Sequence, residues 1–161
     1  MNVKEMTRLD CIALLKAQRL GHLACVREHR PYVVPIHFAF GDDSIFSFSL
    51  PGRKVEWMQA NPHVCLQVDD VGGMNGWRSV VVDGLFEELP KGPDLDGSIA
   101  GVERMTAAVD SDRKFAWSLL ARHANWWEPG ALKPSDAATV SGSHLFYQIR
   151  IEAISGRQAS W

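Results

Sequence analysis

Ile45-Phe46-Ser47-Phe48-Ser49-Leu50-Pro51-Gly52-Arg53-Lys54, running on to Asn61-Pro62, is the stretch from which the rest of the chain can be read. Side chains alternate faces along a strand, so Ser47 and Ser49 share one face while Phe46, Phe48 and Leu50 share the other. One face is greasy and the other can donate hydrogen bonds. The strand leads into a helix start: Ser49 is placed to cap it, Pro51 suits its first turn, and Gly52 lets another group come close to the backbone. Free N–H groups at such a start favour an anion, and Arg53 and Lys54 add two full charges there. Val55 and Met58 then lie three apart on one helical face, and Asn61-Pro62 ends the element. By spacing alone the segment reads equally as a phosphate-holding junction or as a hairpin strand followed by a basic surface helix.

Upstream, Thr7-Arg8-Leu9-Asp10 resembles a capping box with Asp in place of Glu. Leu9, Ile12 and Leu15 follow at helical spacing and predict an amphipathic helix stopped at Leu20-Gly21. From His22 the period shortens to a strand over Leu23 to Val26, a turn at Arg27 to Arg30, and a long apolar run from Tyr32 to Phe40. Pro35 lies inside that run. Proline lacks an N–H and is tolerated in sheets mainly at edges or bulges, so a break in the ladder is expected there, freeing backbone groups for a bound molecule. Gly41-Asp42-Asp43 makes a second turn. Downstream come a strand from His63 to Val68, a glycine-rich break from Val71 to Gly76, and a strongly β-forming run from Ser79 to Phe86. Five strands in about seventy residues, joined by tight turns, predict a mainly β fold: an antiparallel sheet closing into a small barrel, with flanking helices.

The composition shifts after Leu89. Pro90 to Gly97 reads as a loop, and residues 98–125 as a helical insert of two segments divided near Asp110-Ser111. A last strand over 145–154 returns to the barrel, whose core spans about 20–89. At 161 residues the chain is expected to form a single domain, 1–161.

A hydrophobic content of 46% with 22% charged residues is that of a globular protein, and a net charge of −2 supplies no field for a polyanion. Nucleic acid is therefore not an expected partner, and any phosphate site must be local. Lys4, Glu5, Arg8 and Asp10 interrupt the first ten residues, so neither a signal peptide nor a membrane span is read there and a cytoplasmic location is expected. Cys11, Cys25 and Cys65 are odd in number and read as reduced core thiols. The six histidines show no metal-ligand spacing, so no metal site is expected. Neither a Gly-x-Ser-x-Gly elbow nor a Gly-x-Gly-x-x-Gly loop follows a strand. His37, among apolar neighbours, reads first as a buried structural histidine and second as a ligand contact. Trp126-Trp127 is core packing or a stacking surface for a flat ring or a partner subunit. Asp69-Asp70 reads as a solvated strand end.

Taken in order, Leu20-Gly21-His22-Leu23-Ala24, Pro31-Tyr32-Val33-Val34-Pro35-Ile36, Phe46 through Asn61-Pro62, and Ser79 through Gly84 resemble the FMN-binding split-barrel superfamily. That superfamily contains pyridoxamine 5′-phosphate oxidase and the nitroimidazole-resistance flavoproteins. The resemblance implies a small antiparallel split β-barrel that binds FMN. It implies that Arg53 and Lys54 hold the cofactor phosphate, helped by the strand Ser47-Phe48-Ser49. It places the strand Val33 to His37 along the isoalloxazine, with backbone groups near Val34, Pro35 and Ile36, and gives Ser79 a polar contact to the ring. It also implies a homodimer with flavin at the interface, to which Trp127 of the other chain contributes. The oxidase itself usually has a basic residue where His37 stands and an Arg-x-His element near its end, where this chain has Gly156-Arg157-Gln158. The nitroimidazole-resistance-like branch is therefore the nearer one, although Ser47 stands where many of its members have histidine. The expected activity is that of an FMN-dependent oxidoreductase taking a small-molecule substrate and a reduced nicotinamide donor. The alternatives are a flavin-binding or sensing module without turnover, and a barrel using haem or a deazaflavin, with His37 or His123 as the haem ligand.

Overall fold

Leu23 and Cys25 on one strand, Val64, Leu66 and Val68 on the next, and Val80 and Val82 on a third are buried, while the residues between them are exposed or half-buried. That period of two gives the sheet an inner and an outer face. The computed structural model describes residues 2–71, 76–89, 102–122 and 145–160, with the backbone path alone for 102–110 and 160. Eight strands among them form one antiparallel sheet: β1 (Asn2–Glu5), β2 (Leu20–Arg27), β3 (Arg30–His37), β4 (Ala39–Gly41), β5 (Ser44–Ser49), β6 (His63–Asp70), β7 (Gly76–Glu88) and β8 (Leu145–Ser160). Their order is β3-β2-β6-β7-β8-β5-β4, with β1 joined to β8.

The long strand β8 is the seam of this sheet. Its first residues pair with β5, its last four with β1, and it runs beside β7 from Tyr147 to Ser160. A register shift at Asp83/Gly84 bends the β7–β8 pair, and the sheet curls into a split barrel. Leu23, Leu66, Val68, Val80, Val82, Tyr147 and Ile149 fill its interior. Onto them α1 (Arg8–Ala17) lays Cys11, Leu14 and Leu15, and α2 (Arg53–Ala60) lays Val55 and Met58. At about 1.5–3 kcal/mol for each fully buried aliphatic side chain, this cluster is the main source of stability. A second, smaller cluster covers the other face of β5, where α3 (Val102–Leu120) packs Ala116, Leu119 and Leu120 on Ala39, Phe46 and Phe146.

Several expectations are corrected by this arrangement. The capping box is present, with Asp10 N donating to Thr7 Oγ1 at 3.2 Å and Thr7 N to Asp10 Oδ2 at 3.3 Å. The helix ends at Ala17, however, and Gly21 lies inside β2. A Cβ there would sit 2.9 Å from Leu66 Cδ1 and 3.1 Å from Gln67 O, so this glycine serves a close approach between packed strands and does not stop a helix. Pro35 does not break the ladder, because β3 pairs with β2 without interruption from Arg30 to His37. β3 is instead an edge of the sheet, where a missing N–H is tolerated. α3 runs through Asp110-Ser111 as one helix. β8 continues past 154 to Ser160 because β1, a strand absent from the sequence reading, pairs with its end. The two expected hairpin turns have φ of 52° and 62° at Glu28-His29 and 45° and 52° at Asp42-Asp43, the left-handed pairs that match strand twist. No described helix is long and apolar enough to cross a membrane.

Candidate functional site

The start of α2 is held firmly and left chemically open. Val55 and Met58 anchor the helix in the core. Asn61 closes its far end, its N–H donating to Trp57 O at 2.9 Å and its Nδ2 to Val26 O at 3.0 Å. At the near end the N-cap is Gly52, and no side chain caps it. Ser49 does not serve as the cap: its Oγ donates to Leu50 O at 2.9 Å, and Pro51 lies before the helix, outside its first turn. The first intrahelical bond is Glu56 N to Gly52 O at 3.0 Å, so the N–H groups of Arg53, Lys54 and Val55 have no carbonyl partner within the helix. A Cβ at Gly52 would meet no atom within 4 Å, so open space faces those groups.

Two cations follow Gly52 as the first residues of the helix. The Arg53 guanidinium lies 5.6 Å from the Tyr32 ring centroid, and Tyr32 in turn lies 5.4 Å from Trp57. Lys54 is half-buried, and desolvation lowers its pKa. Neither cation has a carboxylate partner among the described residues. The nearby Cys25 thiol is pushed up by burial, with Lys54 drawing it down by less.

The strand before α2 is placed differently from its expected two faces. Phe46 and Phe48 are covered by α3 with Phe115 and Trp117, and the opposite face points into the barrel interior. Ser47 is therefore buried, and its Oγ donates to His37 O at 2.7 Å. Beside it the fully buried Tyr147 hydroxyl has no hydrogen-bond partner at bonding distance among the described residues. Burial raises the Tyr147 pKa strongly, and the Ser47 hydroxyl offsets only part of this. His37 is also buried: Nδ1 lies 3.1 Å from Arg19 O and Nε2 3.4 Å from Leu120 O, so its ring is committed to the backbone under α3.

A second group of predicted residues gathers on the outer face of the sheet. Val33 and Pro35 point outward from the edge strand β3, with Val33 57% exposed, whereas Val34 and Ile36 point into the core. Ser79 lies on the same outer face, two strands beyond β2. Between them runs a polar chain that the sequence reading misses. His22 Nδ1 lies 3.2 Å from Gln67 Oε1, and Gln67 Nε2 donates to both Ser79 Oγ and Asp69 Oδ1 at 3.2 Å. His22 and Gln67 alternate with the buried Leu23, Leu66 and Val68, and that alternation was the available signal. Asp69 is thus part of this chain, and Asp70 pairs with Arg78. Trp127 and His123 lie outside the described residues.

A curled antiparallel sheet with α2 packed on its core through Val55 and Met58 defines a split-barrel protein. The sequence of the chain matches the family model described as pyridoxamine 5′-phosphate oxidase over residues 7–112, and the chain belongs to that family. It is 37% identical over 160 residues to an uncharacterized protein of Rhizobium meliloti (strain 1021), a match spanning 99% of this chain and 97% of the other. Among solved structures, a FAD-binding protein of Mesorhizobium loti superposes with a TM-score of 0.76 at 45% identity, covering 99% of this chain and 100% of that one. A candidate 5-nitroimidazole antibiotic resistance protein of Bacteroides thetaiotaomicron gives a TM-score of 0.70 at 16% identity, covering 98% and 89%, and shows the same fold.

Proposed function

We propose that this protein is an FMN-dependent oxidoreductase that works as a homodimer. The observation that carries this reading is Lys54, a half-buried ammonium with no carboxylate partner among the described residues, set beside uncapped helix N–H groups and the open space at Gly52. A desolvated charge without a counter-ion is costly. A phosphate supplies the missing charge and presents several oxygens to the N–H groups and to Arg53. The β3 edge then offers Val33 and Pro35 as a flat apolar surface and its outer backbone groups to a planar ring, with Ser79 as a hydrogen-bond partner. The Mesorhizobium loti relative is described as FAD-binding, which supports a flavin; FMN and FAD share the phosphate that this end would hold.

The flavin, when bound, supplies hydride and electron transfer between a reduced nicotinamide donor and a small-molecule substrate. The residues of this chain have other tasks. Arg53, Lys54 and the α2 start anchor the phosphate, Val33 and Pro35 exclude water from one side of the ring, and Ser79 orients its polar edge. Leu20, Val26 and Val33, exposed on β2 and β3, form part of the pairing surface between two copies, and Trp127 of the second copy completes the pocket.

Protein purified from cells is expected to be yellow, to sediment as a dimer and to release FMN on denaturation. Colourless protein that takes up neither FMN nor FAD overturns the reading; release of FAD changes the cofactor and keeps the site. Reduction by NADH or NADPH followed by reoxidation with nitro compounds or quinones tests turnover. Flavin that binds but is never turned over by these donors leaves a flavin-holding module.

A further inference from the structure

The polar chain on the outer face sets the proton positions of its own members. Gln67 Nε2 lies 3.2 Å from Asp69 Oδ1, and a carboxylate only accepts, so the amide must turn its NH2 toward Asp69. The same NH2 donates to Ser79 Oγ, which uses both of its hydrogens. Gln67 Oε1 is then the atom facing His22 Nδ1 at 3.2 Å, and Nδ1 must carry the proton. A neutral imidazole has one N–H, so Nε2 is left as a bare acceptor, and it has no partner among the described residues. Ser79 accepts from Gln67, which leaves its own O–H free to donate outward.

We propose that His22 is a positioning residue for the ring of the bound ligand. Gln67 and Asp69 fix it as the Nδ1–H tautomer, so that Nε2 accepts a hydrogen bond from a ring N–H beside Pro35. This rests on the flavin reading above and deepens it. His22 and Pro35 are directly opposite each other on β2 and β3, and the proline offers an apolar floor beside the acceptor. Ser79 stands two strands across and two residues along, roughly 11–12 Å by the usual strand spacing and rise, so it and His22 meet different parts of whatever lies on this face. The titratable and charged groups sharing this face with His22 include His63, Cys65 and Asp69 on β6, Asp83 and Glu87 on β7, Arg157 on β8 with Glu5 opposite it on β1, and His37, which is buried two residues beyond Pro35 on β3.

Long-range proton–nitrogen NMR on the flavin-free full-length protein tests the tautomer, with His22→Phe assigning the signal. The expected result is a protonated Nδ1 and a bare Nε2 in the parent, reverting to the Nε2–H form in Gln67→Leu. Added FMN is expected to shift the Nε2 resonance. His22→Phe should weaken FMN binding by about 3–10-fold and His22→Gln, which keeps an acceptor, by less. An Nε2–H tautomer in the parent, or FMN uptake that leaves the His22 signals unmoved, overturns this inference and spares the flavin reading. Failure of the parent to take up FMN or FAD at all removes the flavin reading, and the ligand half of this inference with it.

Discussion

Two helices of this chain begin in opposite ways. At α1, Thr7 and Asp10 exchange backbone hydrogen bonds, and Arg8 lies 3.6 Å from Asp43. At α2 the N-cap residue has no side chain, no neighbour caps the free N–H groups, and the first two residues are cations. The helix dipole favours anions at that end, so each cation there is unfavourable by about 0.3–1 kcal/mol. A side-chain cap contributes a few tenths of a kcal/mol over a glycine N-cap, and α2 forgoes it. The same fold closes one helix start with its own side chains and leaves the other in need of outside charge. The first start serves stability, and the second is where a ligand's charge restores the balance.

Removing the cations breaks this comparison most directly. Arg53→Ala combined with Lys54→Ala is expected to lower FMN affinity by roughly 10²–10⁴-fold, since a hydrogen bond to a charged group is worth about 1.5–3 kcal/mol. The apoprotein should stay folded, because α2 is anchored by Val55 and Met58, and its melting temperature should rise slightly as two cations leave the positive end of the helix dipole. Calorimetric titration with FMN and a thermal melt check both halves. Unchanged affinity would place the phosphate elsewhere.

Gly52→Asp makes α2 begin more like α1. The Gly52 backbone is extended, with φ of 160° and ψ of −177°, and a Cβ there meets nothing within 4 Å, so the new side chain fits without strain. It would cap the helix, a gain of a few tenths of a kcal/mol over glycine. Its carboxylate would also occupy the place reserved for the phosphate beside Arg53 and Lys54. A fall of roughly 10–100-fold in FMN affinity together with a slightly higher melting temperature is the expected pair of results. A variant that is stabilised and still binds normally would show that the anion does not sit at this helix start.

How far the two starts could be read in advance differs. Thr7-x-x-Asp10 is a local pattern, and its hydrogen bonds follow from spacing alone. The basic pair and the helix of α2 were legible in the same way, as was the alternation that makes the barrel. What was not legible depends on contacts distant in sequence. Ser47 looked like a free hydroxyl because nothing local shows that α3 covers Phe46 and Phe48, which turns Ser47 toward the interior. Pro35 suggested a broken ladder, since a single residue type cannot distinguish a bulge from an edge strand; only the sheet order decides it. The chain His22–Gln67–Ser79 was missed for a related reason. Its members lie on three different strands, 45 residues separate the first two, and register alone brings them together.

Removing the α1 cap tests the other side of the comparison. Thr7→Ala deletes the Oγ1 that accepts from Asp10 N and leaves the Asp10 carboxylate without its closest partner. The expected cost is about 1 kcal/mol, or roughly 2–4 °C in melting temperature for a domain of this size. FMN affinity should stay unchanged, because no residue of this cap reaches α2 or the outer face. A measurable loss of affinity in Thr7→Ala would show that the two starts are coupled through the core.

The smallest expected effect is the most specific to Lys54. Desolvation holds its folded-state pKa below its ordinary value of 10.5, so the unfolded chain binds more protons than the native state in the interval between the two values. Stability of the apoprotein therefore rises with pH across that interval. Below it, the cost of holding a charged Lys54 in the folded state is fully present; as pH passes 10.5 it disappears. Lys54→Met removes the charge and keeps most of the stem, so its gain, no more than about 0.5 kcal/mol, should be full at neutral pH and should shrink toward zero in alkali. A bound phosphate stabilises the ammonium and reverses the sign of that preference. Denaturant titrations of parent and variant across alkaline pH, with and without FMN, read this directly. A gain that is independent of pH, or one that FMN does not reverse, would mean that Lys54 is an ordinary surface cation and that the openness of α2 has another cause.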